Sequence, residues 1–370
     1  MKKILITGGH LMPAVALIDF LKEKDQKKIE FVFVGRKYNL DNDQNDSLEF
    51  QEIKKRGIRF IDFRTGRLKR EITLAAFVNL INILKGIVKA YFLIKKEKPE
   101  IIFSFGGFIG FPFCFSGWLN KIPVFIHEQT VSPGLANQIS GWLAKKVFVS
   151  FPEAVNFFDK KKVIVSGNPI RKEIFQVIDK PLIIQKDCPV IYVTGGSLGS
   201  HSLNQHLLTI LPLILKKAIV IHQTGNVEEY NDHQRLVNFK KRLPPKLAKN
   251  YHLRSHFLTT EIGYIYQLAD MVISRAGANT FFELLALKKP AILIPLPWSA
   301  GKEQEKQARI FVQLGLGEIF NQFEKSIKLL KLVEKMIREL DRYQKNFEKK
   351  SLLINKKNPC AVIEKEVFSI

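Results

Sequence analysis

The sequence predicts an α/β fold made of two Rossmann-like domains in tandem, each built on a parallel sheet. Apolar runs of strand length alternate with helical patterns from end to end, the signature of βαβ units. Two of those strands run into Gly-Gly turns, TGGH near the start and TGGSLGS past the middle. At 370 residues the chain is also too long for one small core, and two domains are the natural expectation.

The first series of strands reads KILIT, FVFVG, IRFIDF, IIFSF, PVFIH and KVFVS. Between the third and fourth lies ITLAAFVNLINILKGIVKAYFLI, residues 72–94, which is apolar enough to suggest a membrane span. Asn79, Asn82, Lys85 and Lys89 recur along it at helical spacing and form one polar stripe. Two lysines near mid-span would be costly in a bilayer, so the expectation is an amphipathic helix packed on a sheet, with or without apolar surface left for a membrane. The second series reads VIYVTGG, AIVIHQTG, YHLRSHF, MVISRAG and AILIPLP. The join falls near SGNPIRKE, giving an N-terminal domain over 1–165 and a C-terminal domain over 166–344. A last helix, at about 345–370, is expected to pack back on the first domain.

Composition narrows the class. Hydrophobic content of 46% and charged content of 25% are ordinary for a globular protein. Cys114, Cys188 and Cys360 are far apart, match no zinc or redox spacing and read as thiols of a reducing compartment. The N-terminus runs from Met-Lys-Lys into a strand without the apolar stretch of a signal peptide. A net charge of +23 points to a polyanionic partner, or to lysines spread over solvated faces.

Every unusual polar cluster lies just after a strand, on the face where open α/β sheets bind ligands. Thr7, Gly8 and Gly9 lead to His10 and a helix opening on Pro13, a turn whose backbone N–H groups can approach an anion. His10 either caps that turn or moves a proton near neutral pH. FGGFIGFP carries Gly106 and Gly107, and HEQTVSPGLAN supplies Glu128 and Asn137. GNPIR ends on Arg171, a side chain suited to bidentate phosphate recognition. TGGSLGS, with Ser197, is a second phosphate cradle, but it lacks the lysine of a P-loop. ISRAGANTFFE puts Arg275 and Gly277 at a strand end and Glu283 in the first turns of a helix. That carboxylate is placed to accept both hydroxyls of a ribose, or simply to favour the helix N-terminus. PWSAGKEQEKQA enters another helix with Gln304 and Gln307.

In this order, and over roughly residues 3–320, these stretches together with HQTG resemble the MurG family of N-acetylglucosaminyltransferases. The resemblance implies a GT-B fold, two Rossmann-like parallel-sheet domains facing across a cleft. It implies an enzyme that moves N-acetylglucosamine from UDP-N-acetylglucosamine to an undecaprenyl-diphosphate-linked muramyl peptide, peripherally at the cytoplasmic membrane face. By match of motif, Glu283 holds the ribose, and Ser197 and Arg171 lie near the donor diphosphate beside Ala276, Gly277 and Ala278. Gln304 meets the sugar, Asn137 and Glu128 form the site wall, and Thr7, Gly8, Gly9, Gly106 and Gly107 serve the acceptor.

His10 is then the base for the acceptor hydroxyl, with Glu128 beside it. No Asp-x-Asp cluster is placed for a metal, so no metal and no cofactor is expected, and the leaving diphosphate is held by Arg171, backbone N–H groups and helix dipoles. The chain departs from the family pattern in four places. TGGH replaces a longer GGTGGH, Thr130 follows HEQ where Asn is usual, KEQEKQA replaces DHQxxNA, and ALKKP lacks a usual Gly. The runner-up is a GT-B enzyme using another lipid acceptor such as a diacylglycerol. No carboxylate set suits an epimerase, no full GxGxxG suits a dehydrogenase, and Lys and Arg are too scattered for a nucleic-acid module. The basic charge fits an anionic membrane surface better, with RTGRLKR, residues 64–70, as the docking segment.

Overall fold

A computed structural model describes residues 2–24, 29–38, 46–66, 74–196, 198–225, 229–354 and 358–369. The chain divides into two compact units, residues 1–171 with 357–370, and residues 172–356.

The first unit is a seven-stranded sheet in the order β3-β2-β1-β4-β5-β6-β7, with every pairing parallel. Its strands are β1 Lys2–Thr7, β2 Ile29–Gly35, β3 Arg59–Asp62, β4 Ile101–Ser104, β5 Val124–Glu128, β6 Lys146–Val149 and β7 Val163–Val165. A parallel sheet covered on both faces needs apolar side chains on both, which is why the central strands carry apolar runs such as ILI in β1, FVFV in β2 and IIF in β4. Ile4, Ile6, Phe31, Phe33 and Phe103 face one way, onto the helix Leu11–Lys24. Leu5, Val34, Ile102 and Ile126 face the other, in a cluster with Ile94 and Phe113 of the helices Leu74–Glu97 and Gly107–Leu119. The last helix, Pro359–Phe368, belongs to this unit, with Cys360, Ile363 and Val367 at helical spacing in the cluster of Ile4 and Leu17. Asn358 caps it, accepting from the backbone N–H of Cys360 at 2.9 Å.

The second unit is a six-stranded parallel sheet in the order β10-β9-β8-β11-β12-β13. Its strands are β8 Val190–Thr194, β9 Ile219–Gln223, β10 Tyr251–Arg254, β11 Met271–Ser274, β12 Ala291–Leu293 and β13 Gly317–Ile319. Ile191, Val193 and Val220 form its core with the helices His201–Ile214 and Ser326–Arg338. The helix Leu340–Ile354 stays with this unit, where Tyr343 and Phe347 are buried.

The strand order reverses at β1/β4 in the first sheet and at β8/β11 in the second. Those switch points leave a crevice beyond the carboxyl ends of the strands, and most of the polar clusters singled out in the sequence follow these strands. Residues 72–73 of the expected amphipathic helix and 67–70 of RTGRLKR lie outside the described residues. Among the described residues no helix is long and apolar enough to cross a membrane.

Candidate active site

In the first unit the chain leaves β1 through Gly8 and Gly9 and leaves β4 through Gly106 and Gly107, and these two turns touch backbone to backbone. A Cβ on Gly107 would stand 2.9 Å from the Gly9 Cα, and one on Gly9 would run into the Gly106 carbonyl. Gly106 and Gly107 also have φ of +82° and +72°, so only glycine fits there without strain. The turn is tied further by Gly8 N–H donating to the Val34 carbonyl at 2.7 Å and His10 N–H to the Phe105 carbonyl at 3.1 Å. His10 is thereby fixed by its backbone at the switch point.

The tripeptide at the end of β5, His127–Glu128–Gln129, ties four other segments together. His127 is buried, with Nε2 3.3 Å from the Gly167 carbonyl of GNPIR and 3.3 Å from Ser150 Oγ. Burial pushes that imidazole down to about 3, so it is a neutral structural group. Glu128 accepts from Thr130 N–H at 2.9 Å, Thr130 Oγ1 at 2.8 Å and Asn137 Nδ2 at 2.8 Å. Thr130, the departure noted in the sequence, therefore supplies two of the donors that orient this carboxylate. Gln129 turns its amide to His10, 2.6 Å from Nδ1. Burial holds the His10 pKa below its ordinary value, and the Glu128 charge partly opposes that shift. Thr7, Gly8, Gly9, His10, Gly106, Glu128 and Asn137 thus come together, with Asn137 and His10 the nearest groups to the face of Gly106. Arg171 ends the first of the two stretches that make up this unit and is half-buried.

One group at this site went unnoticed in the sequence. Glu49, in the helix Leu48–Lys55, lies against Gly8 and Gly35, where any Cβ would collide with its carboxylate. It accepts from Arg36 N–H at 2.9 Å and from the Gly9 N–H. Burial raises its pKa from 4.5 to about 7, with those N–H groups and the Arg36 charge opposing.

In the second unit the turn after β8 meets the turn after β9. A Cβ on Gly199 would stand 2.7 Å from the Gly225 Cα and collide with the Thr224 carbonyl. Ser200 caps the helix His201–Ile214, whose N-terminus is favourable to an anion. Ser197 lies outside the described residues. Across the switch point, Arg275 Nη2 donates to Ser200 Oγ at 2.6 Å and Nη1 to the Ile294 carbonyl at 3.3 Å. This makes Arg275 the link between the loops after β8, β11 and β12, a role its place in ISRAG did not disclose.

Ala276 is buried, Gly277 precedes the helix Ala278–Ala286 in an extended conformation, and Ala278 begins it. Glu283 sits one turn further on, mostly buried, accepting from the Tyr266 hydroxyl at 3.0 Å through Oε2. Gln304 is in the first turn of the helix Glu303–Gln313, and its Oε1 accepts from Leu296 N–H at 3.0 Å. Gln307 is fully buried on the same helix. The HQTG histidine, His222, is a core group between the Tyr251 hydroxyl at 2.9 Å and Asn204 at 3.0 Å, with its pKa pushed down to about 3 by burial. Among the described residues no group of His, Cys, Asp and Glu is arranged to hold a metal ion.

Two family models match the chain: the glycosyltransferase family 28 N-terminal domain over residues 7–149 and its C-terminal domain over residues 190–367. A Clostridium tetani protein is 35% identical with 98% of each chain covered, and a Geobacillus kaustophilus protein is 34% identical with 94% of each covered. Both bear the name UDP-N-acetylglucosamine–N-acetylmuramyl-(pentapeptide) pyrophosphoryl-undecaprenol N-acetylglucosamine transferase. Among solved structures, Acinetobacter baumannii MurG superposes with a TM-score of 0.74 at 22% identity, covering 100% of both chains. A Neisseria meningitidis UDP-GlcNAc 2-epimerase superposes with a TM-score of 0.65 at 14% identity. These likenesses establish the two-domain GT-B fold.

Proposed function

The chain belongs to glycosyltransferase family 28, and we propose that it transfers N-acetylglucosamine from UDP-N-acetylglucosamine to a lipid-diphosphate-linked muramyl peptide in peptidoglycan synthesis. Near full-length identity of about a third to relatives bearing that name supports the reading. The observation within the chain that carries it is His10, held by backbone at the β1/β4 switch point with its Nδ1 against Gln129.

In the proposed reaction the acceptor hydroxyl attacks the anomeric carbon while UDP departs, and His10 takes the hydroxyl proton. Burial that lowers the His10 pKa keeps the imidazole neutral and able to do so near neutral pH. Gln129 can present either end of its amide. With its oxygen toward Nδ1 it fixes the ring proton there and leaves Nε2 as the basic nitrogen. Glu128 acts through its neighbours, holding Asn137 and Thr130 and favouring the imidazolium that forms. In the second unit, Glu283 accepts the ribose hydroxyls. The loop 195–200 and the helix behind it receive the diphosphate, and Gln304 meets the donor sugar. The backbone N–H groups and helix dipole there supply the charge stabilisation, so the transfer needs no divalent cation.

Docking to an anionic membrane is part of this proposal. Leu84, Val88 and Phe92 recur at helical spacing on Leu74–Glu97 and are more than half exposed, and Trp118 of the next helix is exposed too. With Arg64 at the start of RTGRLKR, this gives an apolar stripe near basic charge, the composition of a surface that lies on a bilayer.

The deciding measurement is UDP release from UDP-N-acetylglucosamine in EDTA, with and without a short-chain lipid I analogue. Acceptor-dependent release is expected. Intact donor binding without release would move the assignment to another lipid acceptor, and release that requires added magnesium would overturn the metal-free step.

A further inference from the structure

A basic cavity of about 520 Å³ opens in the first unit beside the glycine turns, and of its lining only Arg64 has been given a role above, in membrane docking. Arg36, Arg64, Lys85 and Lys89 line it together with Asn79 and Asn82. The polar stripe that interrupts the long helix is therefore the cavity wall, not a face turned to the sheet. Asn79, Asn82, Lys85 and Lys89 fall on one side of Leu74–Glu97, while Ile83, Ala90 and Ile94 are buried on another. Among the described residues no carboxylate lines the space. Asp62 stands outside it, 3.9 Å from Arg64 Nε and accepting Lys37 N–H at 2.9 Å.

The wall is built before any ligand arrives. Thr65 Oγ1 donates to the Asn82 carbonyl at 3.4 Å, and the segment after β3 packs so closely on the helix that a Cβ on Gly66 or Gly86 would collide across the contact. On the opposite side, the Arg36 guanidinium lies 5.8 Å from the Phe108 ring, and Phe108 directly follows Gly107. Arg36 N–H binds the same Glu49 carboxylate that accepts from Gly9. The cavity and the turn that carries His10 thus share one wall.

We propose that this cavity binds a phosphoanion carried on a lipid, and that the anion is the diphosphate of the lipid-linked acceptor. Guanidinium and ammonium groups with amide donors suit phosphate oxygens, and the cavity is roomier than a diphosphate alone, leaving space for the groups joined to it. The TGGH turn is shorter than the family's, so it offers fewer backbone N–H groups to an anion. Cationic side chains next to it supply what the backbone there does not. The identity of the lipid rests on the glycosyltransferase reading; the phosphoanion site does not.

The test uses the full chain with its donor site saturated by UDP and inorganic pyrophosphate as the titrant in calorimetry. One pyrophosphate site is expected, weakened tenfold or more in Arg36→Gln/Lys89→Gln and, because both side chains are exposed, equally in Lys85→Gln/Lys89→Gln without disturbing the fold. Binding that is the same in both variants as in the parent overturns the site. With a water-soluble short-chain diphosphate acceptor, the variants should raise the acceptor KM about tenfold while kcat and the donor KM stay within twofold. An unchanged acceptor KM, with weaker binding to phosphatidylglycerol vesicles than the parent shows, overturns the acceptor assignment in favour of a phospholipid headgroup. A parent protein that binds pyrophosphate but transfers no sugar supports the site and defeats the functional reading alone.

Discussion

Replacing Glu49 by glutamine should remove that carboxyl's own contribution to the pH dependence of the first unit's stability between pH 5 and 8. The carboxyl is buried against Gly8 and Gly35, and its pKa rises from 4.5 to about 7 because burial disfavours the charged form. Below pH 4.5 it is protonated in folded and unfolded chains alike, and its contribution is fully present. As pH rises toward 7, the unfolded chain releases the proton while the folded one keeps it, so stability is lost. At about 1.4 kcal/mol per pH unit the complete loss is roughly 3 kcal/mol, of which about 2.5 kcal/mol falls between pH 5 and 8. Glutamine does not titrate, so the stability difference between Glu49→Gln and its parent should grow by that amount over the interval, in favour of the variant. Urea unfolding in a Trp298→Phe background reads it, because the remaining tryptophans, Trp118 and Trp142, both belong to the first unit. Curves for parent and variant that stay parallel from pH 5 to 8 would show that the carboxyl is not desolvated as described.

Further outcomes follow from the same geometry. The acidic limb of kcat/KM should lie below pH 6.5, since burial lowers the His10 pKa, and Gln129→Glu should move that limb upward by placing a carboxylate on Nδ1; a pH–rate profile reads both. Gly9→Ala forces a methyl group into the Gly106 carbonyl and should destabilise the first unit by about 2–3 kcal/mol, while UDP binding by the second unit, followed calorimetrically, is retained. Glu283→Ala should weaken UDP binding by about ten- to a hundredfold, whereas Tyr266→Phe, which removes only the hydroxyl bonded to Glu283, should cost less than tenfold.

The sheets were legible because a parallel strand buried on both faces must be largely apolar, as FVFV in β2, IIF in β4, VIYV in β8 and IVI in β9 are, while the edge strands β3 and β10 carry weaker runs, RFID and YHLR. β7 and β13 escaped: each is a three-residue strand at a sheet edge, and GEI carries neither length nor alternation. The polar clusters after strands were visible, but their partners were not. That Gln129 meets His10 depends on β5 lying one strand beyond β4 and two from β1, and nothing in local pattern encodes that order. Glu49 belongs to no motif. Only its fit against Gly8 and Gly35, residues far from it along the chain, shows that it belongs to the site.

Both units clamp their first turn with a pair of touching glycines, but on opposite sides of the switch point. In the first unit Gly9 meets Gly106 and Gly107 across β1/β4, where the order reverses, and Glu49 holds the turn from the β2 side. The turn carrying His10 is fixed from both directions, which suits the proton-accepting role proposed for that side chain. In the second unit Gly199 meets Gly225 on the β9 side, away from the reversal at β8/β11. The described contact across that reversal is the Arg275–Ser200 side-chain bond. The second turn is thus held by backbone on the β9 side and by the Arg275 guanidinium on the β11 side, which places a cation beside the loop proposed to receive the diphosphate.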